Sequence, residues 1–265
     1  MRKISFHNKN KVVNVEVPES MSELTQEQYI YVMSIASDGN SDDDTFISVM
    51  ANIPMDVVKK ASDYEKFKIL ELFGFLSENA PFSEIKIKNF EIDGVQYDGP
   101  RASLINSTFL EFVFADTYFL RHIAGKKNIK YKMIACLYRK HAIDEDSEMY
   151  EGDTREKFSE HRLEKRAKIF EKLSDELISG IIYNYAQIRQ LMEKRYVFIF
   201  PEKDEKDEKE TNSKKNEKQN FSGWAKTFKK FVDEDLVNEE KYAAMNLHRV
   251  LETINNRIKN NLKNG

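Results

Sequence analysis

Cysteine occurs once in these 265 residues, at Cys136, so no disulfide can close within the chain and a reducing compartment is expected. The same scarcity excludes a cysteine-rich zinc site. Nine glycines and five prolines leave little material for the many turns of an all-β fold. No apolar run approaches a membrane span, and Met1-Arg2-Lys3-Ile4-Ser5-Phe6 is too short and polar for a signal peptide. An excess of one charge is missing too. The 42 basic and 45 acidic residues give a formal charge of −3, so no global basic field gathers nucleic acid.

What is present is large apolar side chains and abundant charge. Eighteen Phe and 12 Tyr supply the burial that a folded core needs, while a charged fraction of 33% suits helices with solvated outer faces. The chain therefore reads as mainly α, a multi-helix body with two small β-hairpins, a charged linker and a C-terminal helical module. The body is expected over 1–200, with hairpins near 3–17 and 85–98. Val13, Val15 and Val17 alternate after an Asn8-Lys9-Asn10 turn, and Asp93-Gly94 marks the second turn. Thr25 and Gln28 have the spacing of a capping box that opens the first helix. Tyr64, Phe67, Leu70 and Phe73 or Leu72 follow helical spacing after Asp63. The stretch Phe109–Ile123 is apolar almost all round, which predicts a buried helix ended by Gly125. His141–Phe158 is polar and reads as a loop. Leu177, Ile181, Tyr185, Ile188, Met192 and Tyr196 form one stripe of a long helix. Residues 201–220 are almost wholly polar and charged, which predicts a flexible linker, with a charged single helix as the alternative, and 221–265 form the C-terminal module.

Chemistry-bearing patterns are sparse. The five histidines are scattered, with no His-x₃-His pair. The acidic loop from Asp144 places Met149 where an EF-hand needs glycine and Arg155 where it needs glutamate. No phosphate-binding glycine loop or serine-nucleophile elbow occurs. Neither catalytic residues nor metal or cofactor ligands are therefore expected, and the chain reads as no enzyme. Asp116, set in a nearly all-apolar helix, needs a partner, and Arg139 or Arg121 is the expected one in a structural ion pair. Phe221, Trp224, Phe228 and Phe231 fall on one face of an amphipathic helix and are the candidate partner-binding residues. The lysines between them occupy the other face, which favours a protein groove or the main body over nucleic acid.

The runs Ala115-Asp116-Thr117-Tyr118-Phe119-Leu120-Arg121, Ile134-Ala135-Cys136-Leu137-Tyr138-Arg139 and Glu164-Lys165-Arg166-Ala167-Lys168-Ile169-Phe170-Glu171-Lys172-Leu173 follow one another in that order. In that order they resemble a family of tailed-phage and prophage proteins from the tail-gene region. The resemblance covers about residues 105–200 and carries no active site with it. It implies phage morphogenesis in the host cytoplasm, as a tail assembly chaperone for a tape-measure-like client. The alternative it leaves is a structural virion component, such as a neck or tail-completion protein. Partners would be phage tail or other virion proteins, or further copies of the chain, with no membrane; a nucleic-acid-binding role ranks last.

Overall fold

A computed structural model of the protein describes residues 1–8, 11–39, 41–78, 80–200, 224, 227, 231–232 and 238–264. The fold is mainly α with two small antiparallel sheets. It divides into two compact units. The first holds 1–87 with 174–187, and the second holds 88–173 with 188–265.

In the first unit, strands β1 (Arg2–Asn8) and β2 (Lys11–Val17) pair with Ile4 opposite Val15. The middle of their expected turn, Lys9-Asn10, lies outside the described residues. Helix α1 (Gln26–Asp38) starts on the full capping box: the Thr25 hydroxyl accepts from the Gln28 amide, and the Gln28 side chain returns to the Thr25 amide. Gln28 also donates to the Met50 carbonyl, tying α1 to the end of α2 (Asp43–Met50). The short α3 (Met55–Val58) and α4 (Asp63–Glu71) follow. Here the inward face differs from the expected one. Tyr64 and Phe67 are exposed, at 66% and 58%, and Ile69 and Phe73 point in. The Lys68 ammonium lies over the Tyr64 ring, so the outer aromatic is partly covered by its own helix neighbour.

Helix α8 (Asp175–Arg195) gives its first half to this unit. Its buried stripe begins at Ile178 rather than Leu177 and continues through Ile181 and Tyr185. The Tyr29 hydroxyl donates to the Gly180 carbonyl at 2.8 Å, and Asn184 reaches the backbone of Glu84 and Lys86. That bonding explains why the second hairpin starts late. Ile85–Lys88 is not strand, because Lys86 is buried with its ammonium on the carbonyls of Ser22 and Leu24.

In the second unit, β3 (Asn89–Ile92) and β4 (Val95–Asp98) turn at Asp93-Gly94, both with positive φ as the Asp-Gly hairpin requires. A third strand, β5 (Arg139–Lys140), adds to β4. The two hairpins thus belong to separate sheets. Phe90 stacks on Tyr97 and Tyr138, and the Phe170 ring meets both Phe90 and Tyr97 edge-on. Helix α5 (Phe109–Ile123), capped by Thr108, packs on α6 (Ile129–Leu137), and α6 on α7 (Leu163–Phe170). α5 is not buried all round. Phe109, Phe112, Ala115 and Phe119 make a buried stripe, while Val113, Phe114 and Leu120 are half-buried and Ile123 is exposed.

The chain's last helix, Leu247–Asn264, is part of this unit rather than a separate module. It buries Leu247, Val250, Leu251 and Ile254 and contacts α5. Ahead of it, the Phe109 amide donates to the Met245 carbonyl and the Leu247 amide to that of Ser107. The division into 1–200 and 221–265 therefore gives way to one in which both segments build a common core. The predicted linker over 201–220 lies outside the described residues.

Gly180 marks the tightest approach in the first unit. A Cβ there would stand 3.0 Å from Ile87 Cδ1 and 3.1 Å from Tyr29 Cε1. Helix propensity alone favours Gly180→Ala by about 1 kcal/mol. Both neighbours are fully buried, and Tyr29 is held by its hydroxyl, so neither can give way freely. Overpacking should prevail, with a net loss of about 1–2 kcal/mol in urea unfolding; a gain would mean the pocket relaxes.

Candidate functional site

Two carboxylates stand in α5, Glu111 and Asp116, and both are buried. Five residues at about 100° each set them roughly 140° apart around the helix, so they recruit different partners.

Glu111 faces the segment after α6. Its Oε1 accepts from Arg155 Nη1 at 2.8 Å and from the Ser107 hydroxyl at 3.1 Å. Its Oε2 lies 3.3 Å from Arg139 Nη1. Arg155 also donates to the Leu137 carbonyl and, through Nε and Nη2, to both oxygens of Asp153, which accepts from Arg139 as well. Two guanidiniums and two carboxylates thus neutralise one another in a nearly dry setting. Burial pulls the Arg139 guanidinium below its ordinary value, against the pull of Glu111. Burial acts the same way on Arg155, but Glu111 and Asp153 outweigh it and hold its value up. The Arg139 Nε and Glu111 Oε2 make no hydrogen bond among the described residues. Next to this network, Arg166 donates to the Ala135 carbonyl and to Glu156, which also takes Arg162.

Asp116 faces the other way. It accepts from Arg189 Nε at 2.7 Å and from the Trp224 indole N–H at 2.8 Å. The Arg189 guanidinium also bonds Glu193 and lies over the rings of Phe119 and Phe200. The expected ion pair is therefore corrected. Asp116 pairs with Arg189, from the second half of α8, and Arg139 is engaged by Glu111 and Asp153. Arg121 stands half-buried near the end of α5. Periodicity accounts for the helix that carries Arg189 without singling that residue out, and Arg155 lies in a stretch whose polarity reads as solvated loop.

The candidate partner-binding residues also fall differently. Trp224 is buried edge-on against Phe112 at 5.0 Å between centroids, and also meets Phe109 and Phe200. Phe231 is buried against Phe109 and Tyr242, with Arg257 over its ring. Neither offers a surface to a partner. Phe221 and Phe228 lie outside the described residues.

Above the Glu111 network lies a cleft of about 860 Å³. Ile105, Leu110, Ile143, Met149 and Phe158 give it apolar lining, and Ile105 and Met149 are exposed. Its charged lining has both signs, with Arg101 and Lys157 beside Glu151 and Glu240. One wall is Ile105–Thr108, which follows a turn where Ser103 and Leu104 both hold left-handed backbone, with φ near 54° and 60°. His248 braces that strained turn: its Nε2 donates to the Ser103 carbonyl and its Nδ1 accepts from the Tyr196 hydroxyl. Burial lowers its tendency to take a proton, in keeping with a neutral ring.

Beside the cleft, His141 sits between Asp98 and Asp144. An Asp–His pair can serve acyl transfer, but there the second ring nitrogen addresses a nucleophile. Here that nitrogen meets a second carboxylate, and the nearby Thr154 hydroxyl donates to Asp98. Cys136 is no substitute. It is fully buried, burial pushes its thiol well above the ordinary value, and it donates to the Lys132 carbonyl. Among the described residues, no group of three or more His, Cys, Asp or Glu is placed to hold a metal ion, and no helix is long and apolar enough to cross a membrane.

Asp116→Asn should destabilise the protein by about 3 kcal/mol, since it leaves Arg189 without its buried counter-charge. Trp224 is the sole tryptophan, so its emission reports the same site directly; unchanged emission and unchanged denaturation midpoint would refute the pairing. Glu111→Gln should cost a similar amount, about 3 kcal/mol, by leaving two guanidiniums to one carboxylate. The double variant with Arg139→Met should recover part of that loss, as a thermodynamic cycle would show. Compared with known proteins, the chain matches no family model, no curated protein and no solved structure.

Proposed function

We propose that the chain is a non-enzymatic phage morphogenesis protein, a tail assembly chaperone that receives a segment of a tape-measure-like client in the cleft of the second unit. The observation that carries this reading is the cleft itself. Exposed Ile105 and Met149 line a hollow whose charged residues have both signs. Apolar contact ringed by mixed charge suits a protein segment, because the apolar part supplies affinity and the charged rim orientation. A nucleic acid would call for a cationic groove with exposed stacking aromatics. The buried charges serve packing: each carboxylate of α5 is committed to arginines of the same chain. The order of helix motifs that resembles tail-region phage proteins supports the same role, in the host cytoplasm.

Quantitative mass spectrometry should find the protein abundant in phage-producing cells and missing from purified particles. Stoichiometric presence in finished particles would instead make it a neck or tail-completion component. The cleft has its own test. Met149→Glu should weaken co-purification with tail proteins about tenfold, the loss expected when a central apolar contact is replaced by charge. Because Met149 is 72% exposed, the unfolding transition should stay in place. Undiminished capture would remove the cleft as the client surface.

A further inference from the structure

His141 is held at both ring nitrogens by carboxylates. Its Nδ1 is 2.6 Å from Asp98 Oδ2, and its Nε2 is 2.9 Å from Asp144 Oδ1. An ionised carboxylate only accepts, and a neutral imidazole has one N–H, so both contacts are hydrogen bonds only when the ring is the doubly protonated cation. We propose that His141 is a pH-operated latch beside the cleft, closed as the cation and opened by loss of one proton.

The two contacts differ in what holds them. Asp98 is buried on β4, and its carboxylate also accepts from Thr154 at 2.6 Å and Gln96 at 2.7 Å. Burial pushes its carboxyl upward, but those three donors outweigh it and keep it below its ordinary value. Asp144 has a side chain 79% exposed and can exchange the ring for water at little cost. Deprotonation therefore leaves Nδ1–H on Asp98 and turns the Nε2 lone pair toward Asp144, which repels it.

Asp144 follows Ile143 and opens the turn that leads to Met149 and Asp153, and all three of those neighbours line the cleft. Within the turn the Ser147 amide donates to the Asp144 carbonyl, and the Tyr150 amide to that of Ser147. Among the described residues, the charges acting on His141 are those of Asp98 and Asp144. Across from it stands Arg155, whose guanidinium is turned to Glu111 and Asp153, and the next residue, Glu156, takes Arg162 and Arg166. The hydrogen bonds to Asp98 and Asp144 raise the His141 pKa. The contribution is thus complete below the free-imidazole value of about 6.5 and is lost as pH rises through the higher folded value. The structural latch stands without any partner, and its bearing on client capture rests on the cleft reading above.

The test is ¹⁵N titration of the His141 ring, assigned with His141→Gln, beside hydrogen exchange of the Ser147 and Tyr150 amides from about pH 5.5 to about pH 8.5. After correction for intrinsic rates, protection should fall with the midpoint of the His141 titration, and that midpoint should lie above free imidazole. Asp144→Asn should remove the pH dependence, because its amide can donate to the neutral ring as well as accept from the charged one. Protection that is flat with pH in the wild-type protein, or a midpoint at or below free imidazole, would overturn the latch. These readouts use the protein alone, so a failed latch with intact client capture, and the reverse, are separate results.

Discussion

An ionised group inside a folded protein must find a counter-charge there, and in the second unit α5 imposes that requirement twice. Glu111 gathers Arg155 and Arg139, which draw in Asp153, and the segment that follows α6 is pinned against the helix as a result. Asp116 gathers Arg189 and the Trp224 indole, which fixes the end of α8 and brings the chain beyond residue 200 back to α5. Apolar packing supplies most of the stabilisation, as the stacked Phe90, Tyr97, Tyr138 and Phe170 rings illustrate. The carboxylates add specific partners to that packing, Arg139 and Arg155 for Glu111 and Arg189 for Asp116.

The cleft is a by-product of that pinning. The segment carrying Asp153 and Arg155 is held at its root by Glu111, while its outer part, from Ile143 to Met149, is free to form a wall. The opposite end of the hollow is supplied by Ile105 and Asn106, next to the strained turn at Ser103–Leu104, and by Ala243 and Asn246. Asn246 donates to the Ile105 carbonyl, so the residues before the last helix hold the turn whose neighbours line the cleft. A surface suited to a protein segment thus rests on a floor that cannot easily move.

The chain's local features were legible in its sequence. The Thr25–Gln28 box and the Asp93-Gly94 turn appear where residue chemistry places them, because each depends on neighbours within a few positions. Helix α4 shows where that stops. Apolar residues on several sides leave periodicity without a preferred face, and Ile69 rather than Tyr64 or Phe67 was buried by what packs above. The site was less legible still. That Asp116 needs a partner follows from its surroundings, but its choice of Arg189 is a long-range matter. Arg155 was hidden because a buried cation in a polar stretch looks like any surface arginine until its carboxylate is located.

The separations along the chain have a consequence for synthesis. Arg155 lies 44 residues after Glu111, whereas Arg189 and Trp224 lie 73 and 108 residues after Asp116. On a ribosome, α5 emerges long before either partner of its second carboxylate. The Glu111 half can assemble first around a helix whose other side must keep Asp116 hydrated. Closure of the second unit around Asp116 then waits until Trp224 has emerged.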